Sequence, residues 1–467
     1  MRQTQTQAYK QEQEQEQAQA QRQVLADLRR RFQAARQRTD SLFDWVDASA
    51  YTQAGIPLRH PVVFYHGHFD AFLFNTVFKR VLKQASFHPA FDDLFERGID
   101  PASLADADVH ARSDWPDRAT VAAYKTEVWQ HLEALFDRLL VDDGALVASA
   151  RLPLLQQALW MAYEHELMHQ ETLLYIIHQF PHAHKRPPES YTLPVAGPVP
   201  DVTFQPVPAG LAMLGAEPGD FPFVWDNEQW ATAVAVEAFS MQTHPVTHAE
   251  FLDFVTAGGY QTPSLWSESA WAWVQTAGVE GQPKTHPHQW FQAADGTWQL
   301  RSLFEDLPLP LSWPVYVTHA EAEAYCRFVG RRLPTEAEWH RAAYGDHADW
   351  RYPGGAVSPE AVGGGGHLNF TGWTPVPVGS AEQPANPYGL KDMHGNGWAW
   401  TATPFAPLPG FEPSPLYEPY SQDFFDGAHY VVCGGSPFTD AQLTRRSFRN
   451  WFYWHYPYTY TGFRTVQ

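Results

Sequence analysis

The sequence predicts an α+β protein in which a bundle of long helices precedes a half with little regular secondary structure. Three observations carry this. Between residues 24 and 180, four segments space their apolar residues at the helical intervals of three and four. Beyond residue 200 that period mostly vanishes, while Gly, Pro and Trp become frequent. Residues 181–200 lie between them, are Pro-rich and show no periodicity, so they read as a linker.

Residues 1–23 are a Gln/Glu/Ala tract with almost nothing apolar to bury. They read as a low-complexity tail, either a solvated helix extension or disordered. From residue 24 the pattern changes, and Val24, Leu25, Leu28, Phe32 and Ala35 predict a first bundle helix. A second is expected to start near His66 and run through Phe72, Val77 and Val81. A third follows Trp115-Pro116, where proline suits a first helical turn. Its apolar positions are Val121, Tyr124, Val128, Leu132, Leu135, Phe136 and Leu139. The fourth spans about Leu152–Gln179. Residues 24–180 therefore read as an up-and-down four-helix bundle, an architecture that builds metal sites from side chains on facing helices. Within 201–467 only two short helices are expected, at 248–257 and 319–329.

Composition narrows the function classes. The 467 residues are 44% hydrophobic and 15% aromatic, ample for packed cores. Fifty-two acidic against 32 basic residues leave a net charge of −20, so no basic face is expected for nucleic acid or an anionic membrane. Cys326 and Cys433 are too few for a disulfide framework and point to a reducing compartment. No apolar run is long enough for a membrane span, and the N-terminus has no apolar signal core. The expectation is a soluble, cytoplasmic protein.

The chemistry concentrates in residues 163–173, Tyr-Glu-His-Glu-Leu-Met-His-Gln-Glu-Thr-Leu. His165 and His169 stand four apart on a helix and share a face. A catalytic metal needs a third ligand. The stretch Phe64-Tyr65-His66-Gly67-His68 offers two, with His68 preferred because Gly67 permits close backbone approach and His66 still open. His182 and His184, in the linker, read as solvated. The stretch also contains His-Glu-x-x-His, the zinc-hydrolase pattern, with Glu166 as its base. The longer protease signature needs a downstream Gly and His, and Gln170-Glu171-Thr172-Leu173-Leu174 supplies neither. Glu171 lies about 200° from His169 on a helical wheel and is not expected to be a ligand.

The C-terminal half resembles the formylglycine-generating-enzyme/sulfatase-modifying-factor domain, a C-type-lectin-like fold. The resemblance rests on Val207-Pro208-Ala209-Gly210, His244-Pro245-Val246-Thr247, Gly330-Arg331-Arg332-Leu333-Pro334-Thr335-Glu336-Ala337-Glu338-Trp339, Asn386-Pro387-Tyr388-Gly389-Leu390, Gly434-Gly435-Ser436 and Gly462-Phe463-Arg464. Formylglycine generation itself uses a cysteine pair after Gly-Gly-Ser, and residues 437–467 contain no cysteine. The N-terminal half resembles a DinB-type bundle, matching its His-x-x-x-His-x-Glu pattern with His165, His169 and Glu171. The fusion of the two is similar to the sulfoxide-synthase family, which comprises the ergothioneine, ovothiol and selenoneine synthases.

That resemblance implies Fe(II) held by His68, His165 and His169, with O2 used to join a sulfur or selenium donor to a histidine-derived imidazole. It carries hercynine contact onto Asn450 and Trp451, in the run Arg445-Arg446-Ser447-Phe448-Arg449-Asn450-Trp451-Phe452. An aromatic face suits a quaternary ammonium. It also implies an active-site tyrosine as proton donor, with Tyr417 and Tyr420 in the right region. Three departures stand out. Phe452 occupies the position where mycobacterial-type enzymes place an Asp serving γ-glutamylcysteine. Met168 stands where they have a Gln beside the ligand. Gly397 and Ala399 interrupt their Gly-Asn-Val-Trp-Glu-Trp run. The expectation is C–Se or C–S bond formation on hercynine from a selenosugar or cysteine-type donor. The alternatives are an ovothiol-type synthase acting on histidine and cysteine, or the zinc hydrolase. Tyr456, Tyr458 and Tyr460 are expected in the aromatic core.

Overall fold

The computed structural model describes residues 2–57, 59–96, 115–141, 151–193, 196–346, 351–352, 366–381 and 386–467. Its contacts divide into two units, Met1–Leu173 and Leu174–Gln467.

The first unit is helical: α1 (Arg2–Asp44), α2 (Val62–Leu73), α3 (Pro89–Phe95), α4 (Arg118–Val141) and most of α5 (Leu152–Gln179). α1 takes in the Gln-rich tract, so of the two readings of residues 1–23 the helix extension holds. Gln, Glu and Ala lose little rotamer freedom in a helix and so propagate one without a core. Leu25, Leu28, Phe32 and Ala35 are buried as the periodicity required, but Val24 is exposed. Phe32 meets Phe136 and Tyr163 edge-on at 6.0 and 5.5 Å. α2 starts at Val62, four residues ahead of the expected His66. Pro61, extended at φ −67° and ψ 165°, is the residue before it and sets the turn into the helix. Every residue of α2 is buried, so it has no polar face from which periodicity could fix its start. It continues as a π-helical run, Phe74–Val81. α4 is capped by Asp117, whose carboxylate accepts the Thr120 N–H at 2.7 Å. The short α3 was not foreseen.

The second unit begins inside α5. Its last carbonyls are capped by cations, the favoured charge at a helix C-terminus. Arg301 Nη2 donates to the Phe180 carbonyl at 2.8 Å, and Lys185 Nζ to that of His178 at 3.0 Å. Within the expected linker Lys185 is buried, while His182 stays partly exposed with its Nε2 3.0 Å from Asp306. There follow β1 (Phe204–Val207), β2 (Gly210–Leu214), β3 (Thr232–Val236), β4 (Phe239–Gln242), α6 (His248–Thr256) and α7 (Glu268–Val274). Then come β5 (Trp290–Gln292), β6 (Trp298–Arg301), β7 (Asp306–Pro308), α8 (His319–Phe328) and α9 (Glu336–Tyr344). The chain closes with β8 (Trp398–Pro404), α10 (Pro419–Gln422), β9 (His429–Cys433), β10 (Asn450–Tyr453) and β11 (Thr461–Phe463).

The strands form small sheets: β1 with β4, β2 with β3, β5-β6-β7, and the four-stranded β10-β9-β8-β11, in which only the β11–β8 pair is parallel. α6, α8 and α9 each start on a capping box, Thr247/Glu250, Thr318/Glu321 and Thr335/Glu338. The threonine and glutamate satisfy each other's orphan backbone N–H groups, which lets helices this short persist. α7, α9 and α10 go beyond the two helices expected. The Arg445–Arg449 stretch is structural: Arg445 and Ser447 bond the buried Glu228, and Arg449 forks onto Glu336 at 2.8 and 3.1 Å. These bonds anchor the start of β10.

Candidate metal centre

α2 and α5 bring His68, His165 and His169 together. One nitrogen from each lies within 4.8 Å of the others, and all three rings are buried. The ring centroids are 5.0 Å apart for His68–His165, 4.9 Å for His68–His169 and 4.3 Å for His165–His169. Among the described residues this is the one group of three or more His, Cys, Asp or Glu with such geometry.

The rings are oriented from behind. His68 Nδ1–H donates to the Phe95 carbonyl at 2.6 Å, which fixes the tautomer and leaves Nε2 with its lone pair and no protein partner. A backbone carbonyl on the far nitrogen is the usual support for a ligating histidine. Gly67 makes this possible, since a Cβ there would stand 2.5 Å from the Phe95 ring. Phe72 lies flat on His165 at 3.6 Å and 5°, and Phe64 on His68 at 4.8 Å. Both His165 nitrogens and His169 Nδ1 are buried without a partner. Burial pushes His68 down to about 4, partly countered by the Phe95 carbonyl. It holds His165 and His169 well below the usual imidazole value, helped by the neighbouring rings. The cluster therefore presents neutral imidazoles with free lone pairs. That donor set fits a divalent transition metal, Fe(II) among them.

His66, the other candidate, turns elsewhere. Its Nδ1 lies 2.6 Å from Tyr51 Oη and its ring packs on Phe43 at 4.4 Å. Glu166, the base of the hydrolase reading, is occupied: Arg36 Nη2 reaches it at 3.1 Å and Thr39 Oγ1 at 2.6 Å. Glu171 is buried on α5 and outside the cluster. Met168 is half-buried beside His169.

In the second unit, β10 pairs antiparallel with β9 and presents Asn450 and Phe452 on one face and Trp451 on the other. Asn450 Oδ1 accepts the Trp451 N–H at 2.9 Å. Trp451 stacks on Phe405 at 4.0 Å and 8° and meets Tyr420 at 5.4 Å. Tyr420 lies flat on Trp225 at 4.0 Å, with Tyr417 5.6 Å away. Both tyrosines therefore group with Trp451 rather than with Asn450 and Phe452. Tyr460 is in the core as expected, but Tyr456 and Tyr458 remain half-exposed.

Sequence reasoning missed Arg36, Thr39 and Asp70, which form a buried polar group with Glu166. The signal was there: Arg36 and Thr39 continue the stripe of Leu25, Leu28 and Phe32, where polar residues need buried partners.

Comparison places these features in a known class. A model of the sulfatase-modifying factor enzyme 1-like domain matches residues 197–467, so the second unit is of that class. Across nearly the whole chain, the hercynine oxygenase of Mycolicibacterium thermoresistibile is 34% identical over 439 residues, covering 91% of each protein. Ergothioneine biosynthesis protein 1 of Schizosaccharomyces pombe is 31% identical over 89% of this chain and 52% of its own length. The formylglycine-generating enzyme of Mycobacterium tuberculosis is 34% identical over 38% of the chain. The protein belongs to the hercynine oxygenase and ergothioneine-biosynthesis family, and is an oxidoreductase of that kind. Among the described residues no helix is long and apolar enough to cross a membrane.

Proposed function

We propose that this chain is an O2-dependent nonheme Fe(II) synthase that joins a thiol or selenium donor to the imidazole of hercynine. The observation that supports it most is the buried set of neutral imidazoles, His68, His165 and His169, each with a ring nitrogen lacking a protein partner, in a chain 34% identical to a hercynine oxygenase. Iron held by those three nitrogens would supply oxygen activation and open positions for substrate. The chain's own part is to hold the ligands neutral and oriented, through Phe95, Phe72 and burial. Asn450, Trp451, Phe452 and Met168 are assigned to substrate, and Tyr417 or Tyr420 to proton donation. Phe452 replaces the Asp that serves γ-glutamylcysteine, which favours a selenosugar or simple cysteine-type donor, and Met168 removes one polar contact to substrate. The soluble interior of the cell is the proposed setting.

The test is a mass-spectrometric product assay with Fe(II) and air. Hercynine and histidine are each offered with cysteine, γ-glutamylcysteine and a selenosugar. A C–Se or C–S adduct of hercynine is expected, lost in His68→Ala, His165→Ala and His169→Ala. No adduct from any pair overturns the proposal. Product from histidine and cysteine alone would make the chain an ovothiol-type synthase.

A further inference from the structure

Behind the three histidines lies a buried ion cluster joining three helices. Arg36 on α1 donates from Nη1 to Asp70 on α2 at 2.6 Å and from Nη2 to Glu166 on α5 at 3.1 Å. Thr39 Oγ1 adds a 2.6 Å bond to Glu166, and Gln170 Nε2 donates to the Ala35 carbonyl at 2.9 Å and to Thr39 at 3.0 Å. All five side chains are buried.

The spacing relates this cluster to the ligands. Glu166 and Gln170 each follow a histidine of α5 by one residue, so they form a stripe about 100° round the helix from His165 and His169. Asp70 follows His68 by two, about 200° round α2. One side of each helix presents imidazoles, and another is bonded, directly or through Arg36, to α1. Side-chain atoms about 5–6 Å from a helix axis sweep ~1 Å for each 10° of rotation, whereas metal–ligand distances tolerate only ~0.2 Å. Hydrophobic burial is non-directional, whereas charge-assisted hydrogen bonds fix both distance and angle and so define the rotation more sharply. Stability alone is a poor reason for the cluster, because replacing a buried ion pair with apolar groups is often neutral or stabilising.

We infer that Arg36, with Asp70, Glu166 and Thr39, is a positioning device that sets the rotation at which α2 and α5 present His68, His165 and His169. The inference rests on reading those histidines as a metal site. Its test is Co(II) titration of the full chain, followed by the visible absorption of the bound ion. In the apolar swap Arg36→Met/Asp70→Leu/Glu166→Leu the helix content stays at that of the unaltered chain. Its Co(II) dissociation constant rises 10–100-fold, the usual effect of removing support behind a ligand, and the absorption band changes. Thr39→Val, nearly isosteric, moves affinity the same way by a smaller factor and decides the matter if the swap does not fold. Affinities within twofold of the unaltered chain in the folded variants overturn the inference alone. No Co(II) uptake by the unaltered chain overturns the metal reading, and the inference with it.

Discussion

Lowering the pH from 7 to 5 should destabilise the second unit steeply, because it buries histidines that must stay neutral. Burial is the leading cause in each: it pushes His248, His319 and His394 down to about 3 and His340 to about 4. A histidine whose folded value is depressed contributes stability that is complete above the unfolded value of ~6.5 and is lost as pH falls toward the folded value. At pH 5 the unfolded form of each binds a proton about thirtyfold in excess while the folded form scarcely binds one, a difference of about 2 kcal/mol. Four such groups total about 8 kcal/mol, comparable with the ~5–15 kcal/mol net stability of a typical domain. The buried Asp226 and Asp392 and the half-buried Glu250 act in the opposite direction. Burial raises their values, so the folded state takes up their protons first and recovers part of the loss at the acid end. The measurement is the urea midpoint by tryptophan fluorescence from pH 8 to pH 5. Above pH 7 only a shallow rise remains, from Lys185, which burial pushes down to about 7; below 6.5 the midpoint should fall sharply. His319→Gln, which keeps an N–H for the Thr401 carbonyl now bound at 3.1 Å, should reduce the slope by that one group's share. A midpoint that stays level to pH 5, or a slope His319→Gln leaves untouched, would refute the reasoning.

Further outcomes follow from single contacts. Gly67→Ala forces a methyl against the Phe95 ring; overpacking of this kind costs about 1–3 kcal/mol, and Co(II) affinity should fall with it as the Phe95 carbonyl shifts off His68. Glu166→Gln separates the two chemistries, since a hydrolase would lose all turnover while the oxygenase, with weakened metal affinity, still forms product in the mass-spectrometric assay at saturating Fe(II). Trp451→Ala should lower the thermal midpoint of the second unit by removing the stack on Phe405, at a cost of about 2–3 kcal/mol. Asn450→Ala, half-buried at the start of β10, should change that midpoint little and act on the KM for hercynine.

Local pattern was enough for α1, α4 and α5, because each buries a stripe whose period is written in the chain, but it gave no sign of the short α3. It failed at the start of α2, where burial on all sides erases the stripe. It also failed at α9, where a capping box, rather than periodicity, carries the signal. His165 and His169 were legible as a pair because one helical turn alone puts them on one face. The choice of His68 over His66 was different in kind. Both flank Gly67 on the same helix; the close approach that Gly67 permits leans toward His68, and resemblance to a family strengthens that lean without excluding His66. Only the tertiary structure decides it: the Phe95 carbonyl holds His68 toward α5, while Tyr51 and Phe43 hold His66 elsewhere. The same is true of Glu166, which in sequence is the base of a hydrolase and in the fold is an ion-pair partner of Arg36, 130 residues away. Sequence determines which residues share a face of one element, since that depends on neighbours a few positions apart. Which faces meet, and therefore which titratable groups are desolvated, paired or free to bind, depends on contacts between distant segments, and these exist only once the chain has packed.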